Sequence, residues 1–271
     1  MNSRPAYFSL KHVDCPYPDN FVCRITNIST EGITWKFKFT SSCIALTLDH
    51  LQSLQQPPPY PSILEVDQVI RAFPFPSYAL GVSSPSGTEF NWSDDSDIAV
   101  QQYLTISMVE MNLIFLHKVY LIKATRQNPE DPLSTDYRFS VDSSVNSASR
   151  IVRALSSLYS RHNQIAYLSW SFWSSLAIAC ATLGDIISQS PRCSTAKPAM
   201  RLLTDGVKLY ERATTAGRSN TSRAAMASIR EQALQAISSS ETSSSGTTSS
   251  KTPDGPLWLH QQTYTIDSTQ D

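Results

Sequence analysis

Residues 145–187 read VNSASRIVRALSSLYSRHNQIAYLSWSFWSSLAIACATLGDII, and this stretch decides the fold. Val145, Ala148, Ile151, Val152, Leu155, Leu158 and Tyr159 recur at three- and four-residue steps. That spacing lays one apolar stripe along an amphipathic helix. Arg150, Arg153, Ser156 and Ser157 fall on its other face, and Arg161, His162 and Asn163 break the pattern. From Ile165 to Leu183 the chain is apolar almost all round, opening on Tyr167, Trp170, Phe172 and Trp173. A helix with no polar face needs neighbours on every side. The expected architecture is all-α, an irregular multi-helix bundle around a central helix at about 165–187.

The flanking segments supply the partners. Ser41 to Gln55 reads as a helix capped at Ser41 or Ser42, with Ile44, Leu48 and Leu51 on one face, stopped by Pro57-Pro58-Pro59. Ser62-Ile63-Leu64-Glu65 has capping-box spacing and opens a short helix with Val66, Val69, Ile70 and Phe73 inward. Thr34 to Phe39 alternates like a strand yet leads into a helix, so both remain open. Acidic residues Asp94, Asp95 and Asp97 suit the start of a long helix from Ile98 to about Thr125. Its expected inward stripe is Leu104, Met108, Met111 and Phe115, widened by Leu113, Leu116 and Tyr120. Two further helices follow, at about Thr195–Thr214 and Arg223–Ile237. Residues 1–237 form the expected domain, with an extended, proline-bearing N-terminal segment. Residues 238–271 are Ser/Thr-rich and expected to be disordered.

Composition narrows the function. Of 271 residues 41% are hydrophobic, enough for a core, while only 17% are charged and the formal net charge is −1. Nucleic-acid grip needs clustered Lys and Arg, so direct nucleic-acid binding is not expected of this chain. No P-loop, G-x-S-x-G elbow, G-x-G-x-x-G or H-E-x-x-H occurs, and no enzyme is expected. Cys15, Cys23, Cys43, Cys180 and Cys193 show no CxxC spacing and read as free thiols. His12 with Cys15 and Cys23 lacks a fourth metal ligand, and Asp14 beside His12 lacks a nucleophile. His117 reads as a partly buried, hydrogen-bonded histidine. Arg150, Arg153 and Arg161 read as a solvated face with acid partners, or else as an anion-binding surface. Residues 163–184 carry one alternative: without formal charge they are long enough to span a bilayer. Ser169, Ser171, Ser174, Ser175 and Thr182 argue for a soluble core instead. A helical enzyme with no legible site is the other alternative.

Several stretches, taken in order, resemble one family. Arg4-Pro5 and Ser9 to Pro18 come first. Next are Pro59-Tyr60-Pro61-Ser62-Ile63-Leu64-Glu65-Val66-Asp67-Gln68-Val69-Ile70-Arg71-Ala72-Phe73 and Leu116-His117-Lys118. Asn128 to Leu133 and the helix pair at Val141–Tyr159 and Ala166–Ile187 complete the order. They are similar to the fungal-specific transcription factor domain, the middle homology region of zinc-binuclear-cluster regulators. The resemblance covers roughly Ser3 to Ala236. Lys118 stands where that family carries arginine, and Asn2-Ser3 stands where a glycine precedes Arg4. The resemblance implies a nuclear regulatory domain controlling transcription through other transcription-regulatory proteins, a small-molecule effector or a homodimer. It also implies a chain truncated at its N-terminus, because the DNA-reading Zn₂Cys₆ cluster has no counterpart here. Zinc therefore belongs to the family's cluster, and no cofactor is expected on this chain. The candidate effector pocket lies where the aromatic start of the central helix faces Leu116 to Tyr120: Leu116, Tyr120, Tyr167, Trp170 and Trp173.

Overall fold

A computed structural model describes residues 29–52, 58–84, 86–166, 170–214 and 220–243. Within them the fold is all-α, with no strand and one isolated antiparallel bridge, Ser83 to Phe90. The helices are α1 (Thr30–Phe39), α2 (Ala45–Gln52), α3 (Tyr60–Ala72), α4 (Ser96–Gln127) and α5 (Arg138–Arg161). A short α6 (Asn163–Ala166) precedes α7 (Trp170–Gln189), α8 (Ala196–Thr214) and α9 (Asn220–Ser243).

Helix α7 packs against α4, α5, α8 and α9. Phe172, Trp173, Leu176, Leu183, Ile186 and Ile187 are all at most 2% exposed. Burying a side chain of that size is worth about 1.5–3 kcal/mol relative to exposure, so α7 is the main apolar investment of the bundle. Two of its neighbours approach closely. A Cβ on Gly184 would sit 2.5 Å from Ile229 Cγ2 of α9, and one on Gly206 of α8 would sit 2.6 Å from Cys180 Sγ. These glycines set how near α7 lies to α9 and α8. The stripe expected on α5 is largely borne out: Ala148, Ile151, Val152, Leu155 and Leu158 are buried. Leu203, Val207 and Tyr210 on α8, and Met226, Ile229 and Ala233 on α9, face inward as their spacing predicts.

The polar break after α5 is tied down rather than loose. Arg161 pairs with Asp94, and His162 Nε2 lies 2.9 Å from the Ser93 carbonyl oxygen. The same loop caps α4: the Asp95 carboxylate accepts from the backbone N–H groups of Asp97 and Ile98. A carboxylate there satisfies orphan donors and complements the helix dipole.

Helix α4 corrects one expectation. Leu104, Met108, Met111 and Phe115 are its half-buried seam, while Tyr103, Ile106, Leu113, Leu116 and Tyr120 are sealed. Because α3, α5 and α7 all press on α4, its polar residues go inside wherever they find partners. Gln101 Oε1 accepts from the Ser29 N–H and hydroxyl, and Gln102 donates to the Tyr78 carbonyl while accepting from the Ser93 N–H.

Further boundaries move. The helix expected from Ser41 already begins at Thr30. Thr34 to Phe39, left open between strand and helix, is helical, with the Trp35 and Phe39 rings stacked at 4.9 Å. A π-helical turn at Thr40–Ile44 joins α1 to α2 and turns Cys43 inward. Cys43 and Thr47, rather than Leu48, are the fully buried positions there. The Ser62 capping box does not form: α3 starts at Tyr60, and the Ser62 hydroxyl donates to the Pro59 carbonyl. Val69, expected inward, is 45% exposed, and Asp67 takes the inward place. The last helix, expected to end at Ile237, continues to Ser243. The extended N-terminal segment with His12, Asp14, Cys15 and Cys23, and residues 244–271 of the tail, lie outside the described residues.

Candidate functional site

The residues with the most distinctive chemistry meet where α3, α4 and α5 converge. Asp67 lies one helical turn before Arg71, so both occupy one face of α3. The Arg71 Nε donates to Asp67 Oδ1 at 3.0 Å and to Oδ2 at 2.8 Å. His117 of α4 places Nε2 2.9 Å from Oδ1 and Nδ1 2.9 Å from Ser140 Oγ of α5. Arg71 also donates through Nη2 to Ser143 Oγ at 2.7 Å, and Tyr60 Oη is hydrogen-bonded to Ser140 Oγ at 3.2 Å. One network thus ties three helices together across 80 residues of sequence.

His117 and Ser140 are fully sealed and Asp67 is 2% exposed. Burial on its own raises the Asp67 pKa, but hydrogen bonds from His117 and Arg71, with their positive charge, hold the carboxyl below its usual value. An ionised carboxylate only accepts, so His117 carries a proton on Nε2. The Ser140 hydroxyl lies at the other ring nitrogen, 2.9 Å from Nδ1. Serine, histidine and aspartate are in the order that acyl-transfer enzymes use. Here the hydroxyl is closed off from solvent, and no acyl substrate reaches it in this packing. The arrangement works as a fastening: it fixes the ring, satisfies every buried group and couples α3 to α5 through α4.

A second buried acid lies one layer away. Glu110 of α4 accepts from Arg150 Nη1 of α5 at 2.8 Å. Its surroundings push its pKa up, chiefly through burial, against the opposing charge of Arg150, the Ser147 hydroxyl and Arg71. Arg150 Nε is buried without a hydrogen-bond partner. Arg153, one turn along, is exposed, and Arg161 is paired with Asp94. The three arginines seen in sequence therefore have three different environments.

Of the aromatic pocket expected from sequence, the described residues Leu116 and Tyr120 fall in one cluster and Trp173 in another. Trp173 is sealed among Tyr159 and Tyr210, at 6.3 and 5.9 Å between ring centroids. Leu116 and Tyr120 belong to a different cluster with Trp35, Phe39, Ile63 and Ile70. Tyr120 packs on Tyr60 and Tyr137 at 4.6 and 4.9 Å, and its hydroxyl donates to the Pro58 carbonyl. The residue of α4 that meets the start of α7 is Tyr103, more than three turns N-terminal to the expected facing surface at Leu116–Tyr120. It contacts Phe172 at 4.7 Å and hydrogen-bonds Ser175 at 2.8 Å. The two helices run side by side in the same direction, so the beginning of α7 meets the first half of α4. Tyr167 and the Trp170 side chain lie outside the described residues.

Sequence reasoning found His117 as a hydrogen-bonded histidine but missed Asp67, Ser140 and Glu110. Asp67 was within reach: an acid four residues before Arg71, on the face that carries Ile63 and Ile70, is an inward acid. Cys43, Cys180 and Cys193 are free and buried. Burial pushes the Cys43 thiol up to about 11 and the Cys180 thiol up to about 12, which keeps both protonated and unreactive near neutrality. Among the described residues no three His, Cys, Asp or Glu side chains converge as a metal site. No protein family, curated protein or solved structure matches this chain.

Proposed function

We propose that this chain is a regulatory domain of a transcription factor, similar to the fungal-specific middle homology region, working in the nucleus by binding partners rather than by catalysis. The observation that supports the reading is the origin of the buried network. Asp67, Arg71 and Tyr60 come from one motif stretch of the resemblance and His117 from another, and these residues meet in a single hydrogen-bonded fastening.

Such a domain regulates when a partner or effector binds one helix packing better than another. The fastening between α3, α4 and α5 is the bistable element of this proposal. Partners are other transcription-regulatory proteins, a small-molecule effector or a second copy of the chain. The test supplies a DNA-binding module in place of the zinc cluster that reads DNA in the resembling family. The full chain is fused to a heterologous DNA-binding domain and a reporter is read. A change of several-fold in reporter output, altered by Asp67→Asn, supports the proposal. Output identical to the DNA-binding domain alone overturns it.

A second reading has one observation behind it. Helices α4 and α7 are long and apolar enough to cross a membrane by length and composition. Within the bundle 67% and 61% of those windows are buried, which favours core helices. Carbonate washing of a tagged chain separates the readings: the proposal puts it in the soluble fraction, and retention in the pellet favours the membrane.

A further inference from the structure

Between α5, the start of α8 and the turn at Ser86-Gly87 lies a groove of about 460 Å³. Its size is that of a small-molecule pocket, but its walls are not those of a greasy one. Arg71, Arg150 and Arg153 enter it, with Glu110 at its base and Ser147, Ser149, Ser194 and Thr195 around them. Two of the guanidinium groups have part of their donor set engaged: Arg71 holds Asp67 and Ser143, and Arg150 holds Glu110. Each guanidinium carries five N–H donors in a planar fork, so both retain donors to spare. Arg153 makes no ion pair among the described residues. Three guanidinium charges face two carboxylates, leaving one positive charge uncompensated in a concave, partly desolvated site.

We propose that this groove binds a small metabolite carrying two oxyanion groups, carboxylate or phosphate, clamped between Arg153 and the free edges of Arg71 and Arg150. Val145, Pro198 and Leu202 line part of the groove, but its hydroxyls and guanidinium groups would lose water without return to a wholly apolar ligand. They suit an oxyanion, whose planar or tetrahedral oxygens accept from two fork edges at once. The inference rests on the regulatory reading only for its consequence. Arg71 belongs both to the groove and to the buried fastening, so an oxyanion that shares its guanidinium with Asp67 changes how firmly α3 is held to α5. Effector binding at the surface is thereby linked to helix packing inside through one side chain.

The test is isothermal titration of the full chain with citrate and, separately, with inorganic pyrophosphate, at ionic strength matched with sodium chloride. The wild type is compared with Arg153→Glu and with Lys208→Ala. Lys208 is an exposed cation of α8 lining the adjacent groove, so its loss tests whether any nearby positive charge serves as well as Arg153. The expected result is saturable binding of at least one probe. Its affinity falls at least about tenfold in R153E, the loss of one charge-assisted contact, and stays within about twofold in K208A. The preferred probe tells carboxylate from phosphate. Absence of heat up to about 10 mM with both probes, or equal binding in wild type and R153E, overturns the assignment. Circular dichroism identical to wild type verifies that R153E is folded, as an exposed residue without an ion pair predicts. A silent reporter with intact binding removes the regulatory reading and leaves the groove. Reporter activity without binding removes the groove alone.

Discussion

Replacing Asp67 by asparagine keeps the shape of the side chain and removes its charge, so it isolates what the buried carboxylate contributes. The carboxylate receives two hydrogen bonds from Arg71 Nε and one from His117 Nε2. The Arg71 side chain is 47% exposed, and solvent screening reduces that pair to about 0.2–1 kcal/mol. His117 is fully buried, and a hydrogen bond to a charged group in that setting is worth about 1.5–3 kcal/mol. Asparagine retains a weaker acceptor, so the expected loss is about 2–3 kcal/mol at neutral pH. The pH dependence has a definite sign. The folded carboxyl binds its proton less tightly than the unfolded one, so its contribution is complete above the ordinary carboxylate range, near pH 4. It disappears as pH falls below that range through the folded pKa. Urea denaturation of wild type and D67N at a series of pH values gives both results. The midpoint gap should be widest near neutrality and narrow steadily in acid. A variant within about 0.5 kcal/mol of wild type at pH 7, or a gap that widens in acid, refutes the fastening.

Other consequences follow from particular contacts. Gly184→Ala adds a methyl 2.5 Å from Ile229 Cγ2 and should cost about 1–3 kcal/mol despite the better helix propensity of alanine; thermal melts should show partial rescue in the double variant with Ile229→Ala, and a stabilised single variant would contradict the close packing of α7 on α9. Burial, opposed by Asp185, brings the Lys118 pKa down to about 8. The native state therefore binds that proton less tightly than the unfolded chain, and the penalty fades as pH rises from about 8 toward the ordinary lysine value. Lys118→Met should raise stability by about 1–3 kcal/mol at pH 7 and by little at pH 10, read from the same urea melts; a loss at pH 7 would show the charge to be net stabilising.

Helices α5 and α7 are the elements that sequence made legible. The apolar stripe of α5 is buried from Ala148 to Leu158 as its spacing predicts, although Ser140, Ser143, Ser144, Ser147 and Ser149 are buried as well. Helix α7 has no polar face, and its burial by four helices follows from that alone. Helix α4 misled because three layers press on it. Its hydrophobic stripe is outcompeted by polar residues that find partners inside, Gln101, Gln102, Glu110 and His117 among them, and a periodicity argument assumes that polar means outward. The boundary at Ser41 failed for a related reason. Trp35, Phe39 and Cys43 continue one helical face through a π turn, and alternation over six residues imitated a strand. The aromatic pocket failed on register, since sequence shows which residues are aromatic on α7 but not that the helix runs alongside α4 with Tyr103 opposite Phe172.

The whole account depends on α7 being dry and enclosed by protein. Amide hydrogen exchange of the full chain in detergent-free buffer tests this directly. Amides from Leu176 to Ile187 should be the slowest in the molecule, opening only with global unfolding, while the end of α9 exchanges quickly. Rapid exchange along Leu176–Ile187, or protection that arises only when lipid or detergent is added, would contradict the central helix and every inference built on it.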